Sequence, residues 1–204
     1  MKKIIKKIIS ENEFLKNLKE YILWKRRKFS ENSPPYIKRE IIKKYTPANS
    51  VFIESGTYKG EMILNLNKHF SFCYSLEPSK KYYDSSLKIL KNIKNKSIIN
   101  DSSENALEKT LKKILEQNNK NFVFYLDGHF MEKDSFKGSK ETPIEIELSI
   151  IEKHFNNFDK FTIIVDDFRL FGERKDYPSK DFLINFSSKI KKKFTVEHDM
   201  FICY

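Results

Sequence analysis

The spacing of apolar positions along this chain changes near residue 50. Before it, Ile4, Ile5, Ile8 and Ile9, then Phe14, Leu15, Leu18, Tyr21 and Ile22, recur at helical intervals and form one apolar stripe. Ser33-Pro34-Pro35 breaks the stripe, and a short helical piece follows over Tyr36 to Tyr45, closed by Thr46-Pro47. From residue 50 onward, short apolar runs alternate with amphipathic segments of helix length. Strands are predicted over 51–54, 72–77, 97–100, 122–127 and 161–166, and helices over 60–69, 79–91, 104–116, 143–155 and 181–191. The closing FTVEHDMFICY reads as two short strands with a turn at Glu197–Asp199. Strands alternating with helices predict an α/β fold with a seven-stranded, mostly parallel sheet, helices on both faces and a C-terminal antiparallel hairpin. FVFYL and FTIIV are almost continuously apolar, as expected of strands covered on both faces. The break at Thr46-Pro47 divides the chain into an N-terminal helical appendage, residues 1–47, and a main domain, residues 48–204.

Composition narrows the picture. A chain of 204 residues is long enough for one domain with its own core, and 39% hydrophobic with 33% charged residues is a soluble, globular balance. No apolar run approaches the roughly 20 residues of a membrane helix. MKKIIKKIISENEF is basic but lacks a sustained apolar segment and a small-residue cleavage site, so it does not read as a signal peptide. A cytoplasmic location is the expectation. Cys73 and Cys203 lie in strand-like runs with no Cys or His at zinc spacing, and read as buried free thiols. The net charge is +11, yet only five of the 39 basic residues are Arg. Lys is a point charge and reads nucleic acid less well than the forked guanidinium does. The charge therefore favours anionic partners only weakly.

Candidate chemistry sits at strand ends. Glu54, Glu77, Asp127 and the Asp166-Asp167 pair close predicted strands, and Asp101 follows another. The carboxyl ends of parallel strands line the ligand crevice of such a sheet, so these acids converge on one edge. Between the first strand and its helix runs Glu54-Ser55-Gly56-Thr57-Tyr58-Lys59-Gly60. Gly56 permits a sharp turn and close approach of a ligand to the backbone, and Gly60 opens the helix. The glycines are four apart, not in the G-x-G-x-x-G spacing of a dinucleotide loop. Ser79, Ser102 and Ser103 also suit helix N-caps.

The acid-first turn resembles the first motif of the class I S-adenosylmethionine-dependent methyltransferases, which have a Rossmann-like sheet. SLEPS resembles the second motif, IINDSSENAL the third and YLDGHF the fourth, in order over residues 48 to 204. The resemblance implies a cofactor site of Glu54, Ser55, Gly56, Thr57, Gly60, Glu77, Asp101, Ser102 and Asp127, with Glu77 accepting the ribose hydroxyls and Asp101 and Ser102 bordering the adenine. It implies Asp127 and His129 beside the reacting methyl, His129 as a base for the acceptor proton. YLDGHF, KETPIEIEL and IIVDDFRLFG are also similar to bacterial metal-dependent O-methyltransferases of sugars and natural products. That likeness implies a divalent ion, Mg²⁺, on Asp127, Asp166 and Asp167. Those enzymes often carry a further acid where this chain has His129, and the three aspartates equally suit a role without metal. The implied substrate is a sugar or small hydroxylated, phosphorylated metabolite such as a surface-polysaccharide precursor. A nucleic-acid methyltransferase using the basic surface is the alternative. Ser33-Pro34-Pro35-Tyr36 matches an amino-methyltransferase signature, but no strand precedes it and it comes before the cofactor motif, so it reads as a decoy match. The polar Met131–Thr142 stretch suits a lid or substrate loop. The N-terminal helices suit a lid, a homodimer surface, a membrane-surface face or a solvated appendage.

Overall fold

A computed structural model describes residues 12–29, 32–128 and 140–204. His129, the first apolar positions of the N-terminal stripe and most of the 131–142 stretch lie outside the described residues. Two helices precede the sheet: α1, Glu13–Arg26, and α2, Pro35–Lys44. The Asn12 side chain caps α1 by accepting from the Leu15 N–H at 3.2 Å. Proline at the first position of α2 removes a donor that the helix would leave unpaired anyway.

The sheet then builds as β1 Val51–Ser55, α3 Glu61–Leu66, β2 Phe72–Leu76, α4 Lys80–Ile89, β3 Lys96–Ile99, α5 Ser103–Glu116, β4 Asn121–Leu126, α6 Ile144–His154, β5 Lys160–Val165, α7 Lys180–Lys189, β6 Phe194–Glu197 and β7 Met200–Cys203. The strand order is β3-β2-β1-β4-β5-β7-β6. The first five strands pair in parallel, and β7 runs antiparallel against β5 and β6. The predicted hairpin forms, its turn carried by His198 and Asp199, both at positive φ. The predicted helix over 60–69 is shorter: α3 stops at Leu66 and a 3₁₀ turn covers Asn67–His69. The Asn67 amide donates back to the Ile63 and Leu64 carbonyls and so satisfies the end of the helix.

The period-two alternation of strand side chains divides the core into two layers. Phe122, Phe124, Ile163 and Val165 join Leu111, Leu148 and Leu183 on one face. Val123, Tyr125 and Ile164 join Ile41, Ile42, Ile63 and Leu66 on the other. Helix α2 is therefore one of the elements covering the sheet. Its Ile42 is fully buried, and burial of such a side chain contributes roughly 1.5–3 kcal/mol. Trp24 at the end of α1 is also buried and packs on the His198 ring, centroids 5.3 Å apart. The remainder of α1 exposes Phe14, Leu18 and Ile22. No described helix is long and apolar enough to cross a membrane.

Candidate functional site

The carboxyl ends of β1, β2 and β3 stand side by side, and short-range hydrogen bonds set the geometry there. After β1 the chain turns at Gly56, whose φ is +89° and whose N–H donates to the Leu76 carbonyl at 3.0 Å. A Cβ at Gly56 would stand 2.8 Å from the Asp127 carbonyl oxygen, so only glycine lets this turn lie against the end of β4. Gly60 serves the fold: a Cβ there would meet a Leu90 methyl at 2.8 Å. The Glu54 side chain is buried and accepts from Ser75 Oγ at 2.6 Å, while Ser75 Oγ is 2.5 Å from Thr57 Oγ1. Burial pushes the Glu54 carboxyl up to about 8 against the pull of the Ser75 hydrogen bond, so at neutral pH it holds its proton. Ser55 is buried beside it, and its Oγ has no hydrogen-bond partner among the described residues.

Glu77 follows β2, and its carboxylate braces the β1 turn. One oxygen accepts the Tyr58 N–H at 2.7 Å, and the other accepts the Ser79 N–H at 2.8 Å. Burial raises its pKa and the two N–H donors oppose the rise. The Glu77 N–H reaches Ile99 O at 2.9 Å, and Asn100 Nδ2 donates to Glu77 O at 2.8 Å, which joins this segment to the loop after β3. In that loop Asp101 Oδ1 accepts from Ser102 N at 2.7 Å and from Asn105 Nδ2 at 3.0 Å. Ser102 takes the N-cap position of α5 without a side-chain cap bond.

A cavity of about 500 Å³ opens beside this rim. Glu54, Gly56, Thr57 and Tyr58 form one wall, and Tyr125 and Asp127 lie at the sheet end. The opposite wall is the N-terminal segment: Arg27, Ser33, Pro34, Pro35, Lys38 and Arg39. The structure thus brings Glu54, Gly56, Thr57 and Asp127 around one space. Glu77, Asp101 and Ser102 do not line it and follow the adjoining rim behind the β1 turn. Ser33-Pro34-Pro35, read from the sequence as a chance match to a signature, is part of the cavity wall, with the Ser33 hydroxyl donating to His198 O at 3.1 Å.

The three aspartates, for which a metal and a metal-free role are both open from the sequence, are held by the chain's own side chains and N–H groups. Asp166 is buried and accepts from Lys38 Nζ and, at 2.5 Å, from the Tyr125 hydroxyl, which also lies 3.3 Å from Asp127 Oδ2. Its second oxygen accepts the Asp167 N–H at 2.8 Å. The Asp167 carboxylate accepts the Arg169 guanidinium at 2.8 Å, and that guanidinium also reaches Asp199. Burial by itself would lower the Lys38 pKa, but Asp166 and then Asp127 reverse the effect and raise it, so the ammonium stays charged. The residues present do not fit a divalent ion: Asp166 and Asp167 are already neutralised by cationic side chains. Among the described residues no group of three His, Cys, Asp or Glu side chains has the geometry of a metal site.

Three site residues carry no local signal in the sequence. Lys38 lies 128 residues from Asp166 in the chain. Tyr125 looks like any apolar strand residue. Glu147 belongs to the TPIEIEL run and would pass for a charge on a solvated helix. It is buried, and its Oε1 has no hydrogen-bond partner among the described residues. Burial is the main cause that pushes its carboxyl up to about 7. It shares a small hollow with Asp127, Gly128, Thr142 and Tyr177.

No protein-family model matches the chain, and no curated protein does. Solved structures do. Streptococcus mutans SMU.1697c, assigned as a methyltransferase and solved with S-adenosylhomocysteine, is 17% identical with a TM-score of 0.54, over 83% of this chain and 95% of that one. An rRNA methylase from Streptococcus thermophilus is 13% identical with a TM-score of 0.51, over 83% and 93%. The N-methyltransferase NodS from Bradyrhizobium japonicum WM9, also solved with S-adenosylhomocysteine, is 8% identical with a TM-score of 0.53, over 86% and 88%. The fold is the Rossmann-like fold of these methyltransferases.

Proposed function

We propose that this protein is an S-adenosylmethionine-dependent methyltransferase acting on an oxygen of a small hydroxylated acceptor, with a phosphorylated sugar or a polysaccharide precursor as the class to test first. The observation that carries the reading is the Gly56 turn, pressed against the end of β4 and walled by the buried carboxyl of Glu54, with the acids of β2 and β3 on the same rim. A nucleoside bearing positive charge matches that arrangement. Glu54, Ser55, Gly56 and Thr57 would hold the cofactor's cationic end, Glu77 its ribose, and Asp101 and Ser102 its adenine. When bound, S-adenosylmethionine supplies a methyl group for in-line displacement, the carbon–sulfur electron pair returning to sulfur.

The remaining work falls to the chain's own groups. The cavity walls align the acceptor and exclude water, which supplies most of such an enzyme's effect. The acceptor oxygen uses a lone pair to form the new bond to carbon, and its proton passes to Asp127 or to His129. No step needs Mg²⁺. A small acceptor is favoured by the N-terminal segment, which closes the far side of the cavity; residues 12–47 are on this reading part of the site. The fold itself is shared with an rRNA methylase and with an N-methyltransferase and does not choose between acceptors. The +11 charge keeps RNA as the second reading.

Calorimetry with S-adenosylhomocysteine tests the core of the proposal. One site is expected, and proton release at pH 7, read as a dependence of the heat on buffer ionisation, as the incoming ammonium draws the proton off Glu54. No binding at millimolar ligand would remove the methyltransferase reading. Transfer of labelled methyl to sugar phosphates, against transfer to total RNA with steep salt dependence, separates the two acceptors.

A further inference from the structure

We propose that Lys38 is the resident cation of this site, holding the position against Asp166 and Asp127 that a divalent ion would otherwise take. The proposal rests on the methyl-transfer reading for its role in catalysis, but not for its chemistry.

The argument is one of place and charge. Asp127, Asp166 and Asp167 bring three carboxyl groups to adjacent strand ends, an arrangement for which a metal and a metal-free role are both open from the sequence. Lys38 reaches them from α2, with its side chain 10% exposed and that of Asp166 fully buried. A buried carboxylate requires a partner, and truncating one member of a buried pair costs several kcal/mol. The Tyr125 hydroxyl ties Asp166 to Asp127, so the ammonium acts on the pair rather than on one acid. Arg169 answers Asp167 separately. A divalent ion placed here would stand against a fixed ammonium, and like-charge repulsion makes the two occupants mutually exclusive. Lys38 also lines the cavity, so the helix that covers the sheet carries positive charge to the acceptor's side of the site. Lys38 is in this sense a positioning residue: it sets the charge and orientation of Asp127 through Asp166 and Tyr125.

Metal binding reads this without an acceptor. Titration with Mn²⁺, followed by the paramagnetic resonance of the free ion, is expected to find no stoichiometric site in the wild-type protein. Lys38→Ala should gain one, at least about tenfold tighter than any wild-type binding, and Lys38→Ala/Asp166→Asn should lose it again. Lys38→Gln, which keeps a donor toward Asp166 and removes the charge, serves if Lys38→Ala does not fold, and should gain the site too. A wild-type Mn²⁺ site abolished by Asp166→Asn would overturn the proposal. So would folded Lys38→Ala or Lys38→Gln proteins that acquire no site. A purely structural lysine would move thermal stability and leave Mn²⁺ binding untouched. Failure of the methyltransferase reading shows separately, as absence of S-adenosylhomocysteine binding in the wild type.

Discussion

The rim over β1, β2 and β3 and the wall formed by α2 against β4 and β5 differ in how far the chain travels to make each contact. On the rim Glu77 binds N–H groups 2 and 19 residues away, and Asp101 binds partners 1 and 4 residues away. At the wall Lys38 meets Asp166 across 128 residues, Thr162 Oγ1 donates to Tyr45 O across 117, and Ser33 meets His198 across 165. The rim is thus written in short motifs and is reusable on many sheets of this kind. The wall exists only once the whole sheet has formed, and it is where acceptor chemistry can differ between proteins of one fold.

Ile42→Ala tests that contrast most severely. It truncates a fully buried side chain that fastens the wall to the sheet, and should cost about 2–5 kcal/mol in urea unfolding. Ile42 does not line the cavity, so S-adenosylhomocysteine affinity in the folded fraction should hold within about threefold. A parallel collapse of cofactor affinity would show that rim and wall are one unit.

Gly56→Ala attacks the other side. A left-handed backbone with a Cβ costs about 1–2 kcal/mol, and here the Cβ also meets the Asp127 carbonyl at 2.8 Å. Stability should fall by on the order of 2 kcal/mol and cofactor affinity by about tenfold or more. Retained affinity would mean that the turn does not approach the ligand.

The same contrast explains what the sequence makes legible. The sheet, its seven strands and the hairpin follow from alternation of apolar runs and amphipathic segments, a local property. Glu54, Glu77 and Asp101 are legible because a carboxylate at a strand end is a sequence event. The appendage is harder. Tyr36 to Tyr45 reads as a short helical piece, but nothing local says that its Ile41 and Ile42 join Val123 and Ile164 in one core layer. The Ser-Pro-Pro block reads as a decoy match to a signature, and nothing local says that it lines the cavity. The aspartate pair is legible as a strand-end feature, but its cation is not, because Lys38 lies 128 residues away from Asp166.

Buried acids make a further test through pH. Glu147, pushed up to about 7, and Glu54, pushed up to about 8, hold protons that the unfolded chain releases near its ordinary glutamate range. Their contribution is complete below the unfolded value of 4.5 and is lost as pH rises through the folded values. Stability from urea unfolding should therefore decline from about pH 4.5 to about pH 8. Glu147→Gln should remove on the order of 3 kcal/mol of that decline, since a tenfold change in acidity corresponds to about 1.4 kcal/mol. An unchanged slope would mean that Glu147 finds a charge partner in solution.

The smallest effect is the most discriminating on the rim. Ser102 takes the N-cap position of α5, where a serine hydroxyl ordinarily accepts a backbone N–H and contributes about 1 kcal/mol. Here it makes no such bond, although the side chain is largely buried. The Ser102 N–H itself donates to Asp101 Oδ1. Ser102→Ala should consequently change stability by less than about 0.5 kcal/mol. If the hydroxyl is retained for a nucleoside, the same substitution should weaken S-adenosylhomocysteine by about three- to tenfold, the worth of one neutral hydrogen bond. A stability loss near about 1 kcal/mol with unchanged affinity would assign Ser102 to the helix and move the adenine pocket away from α5.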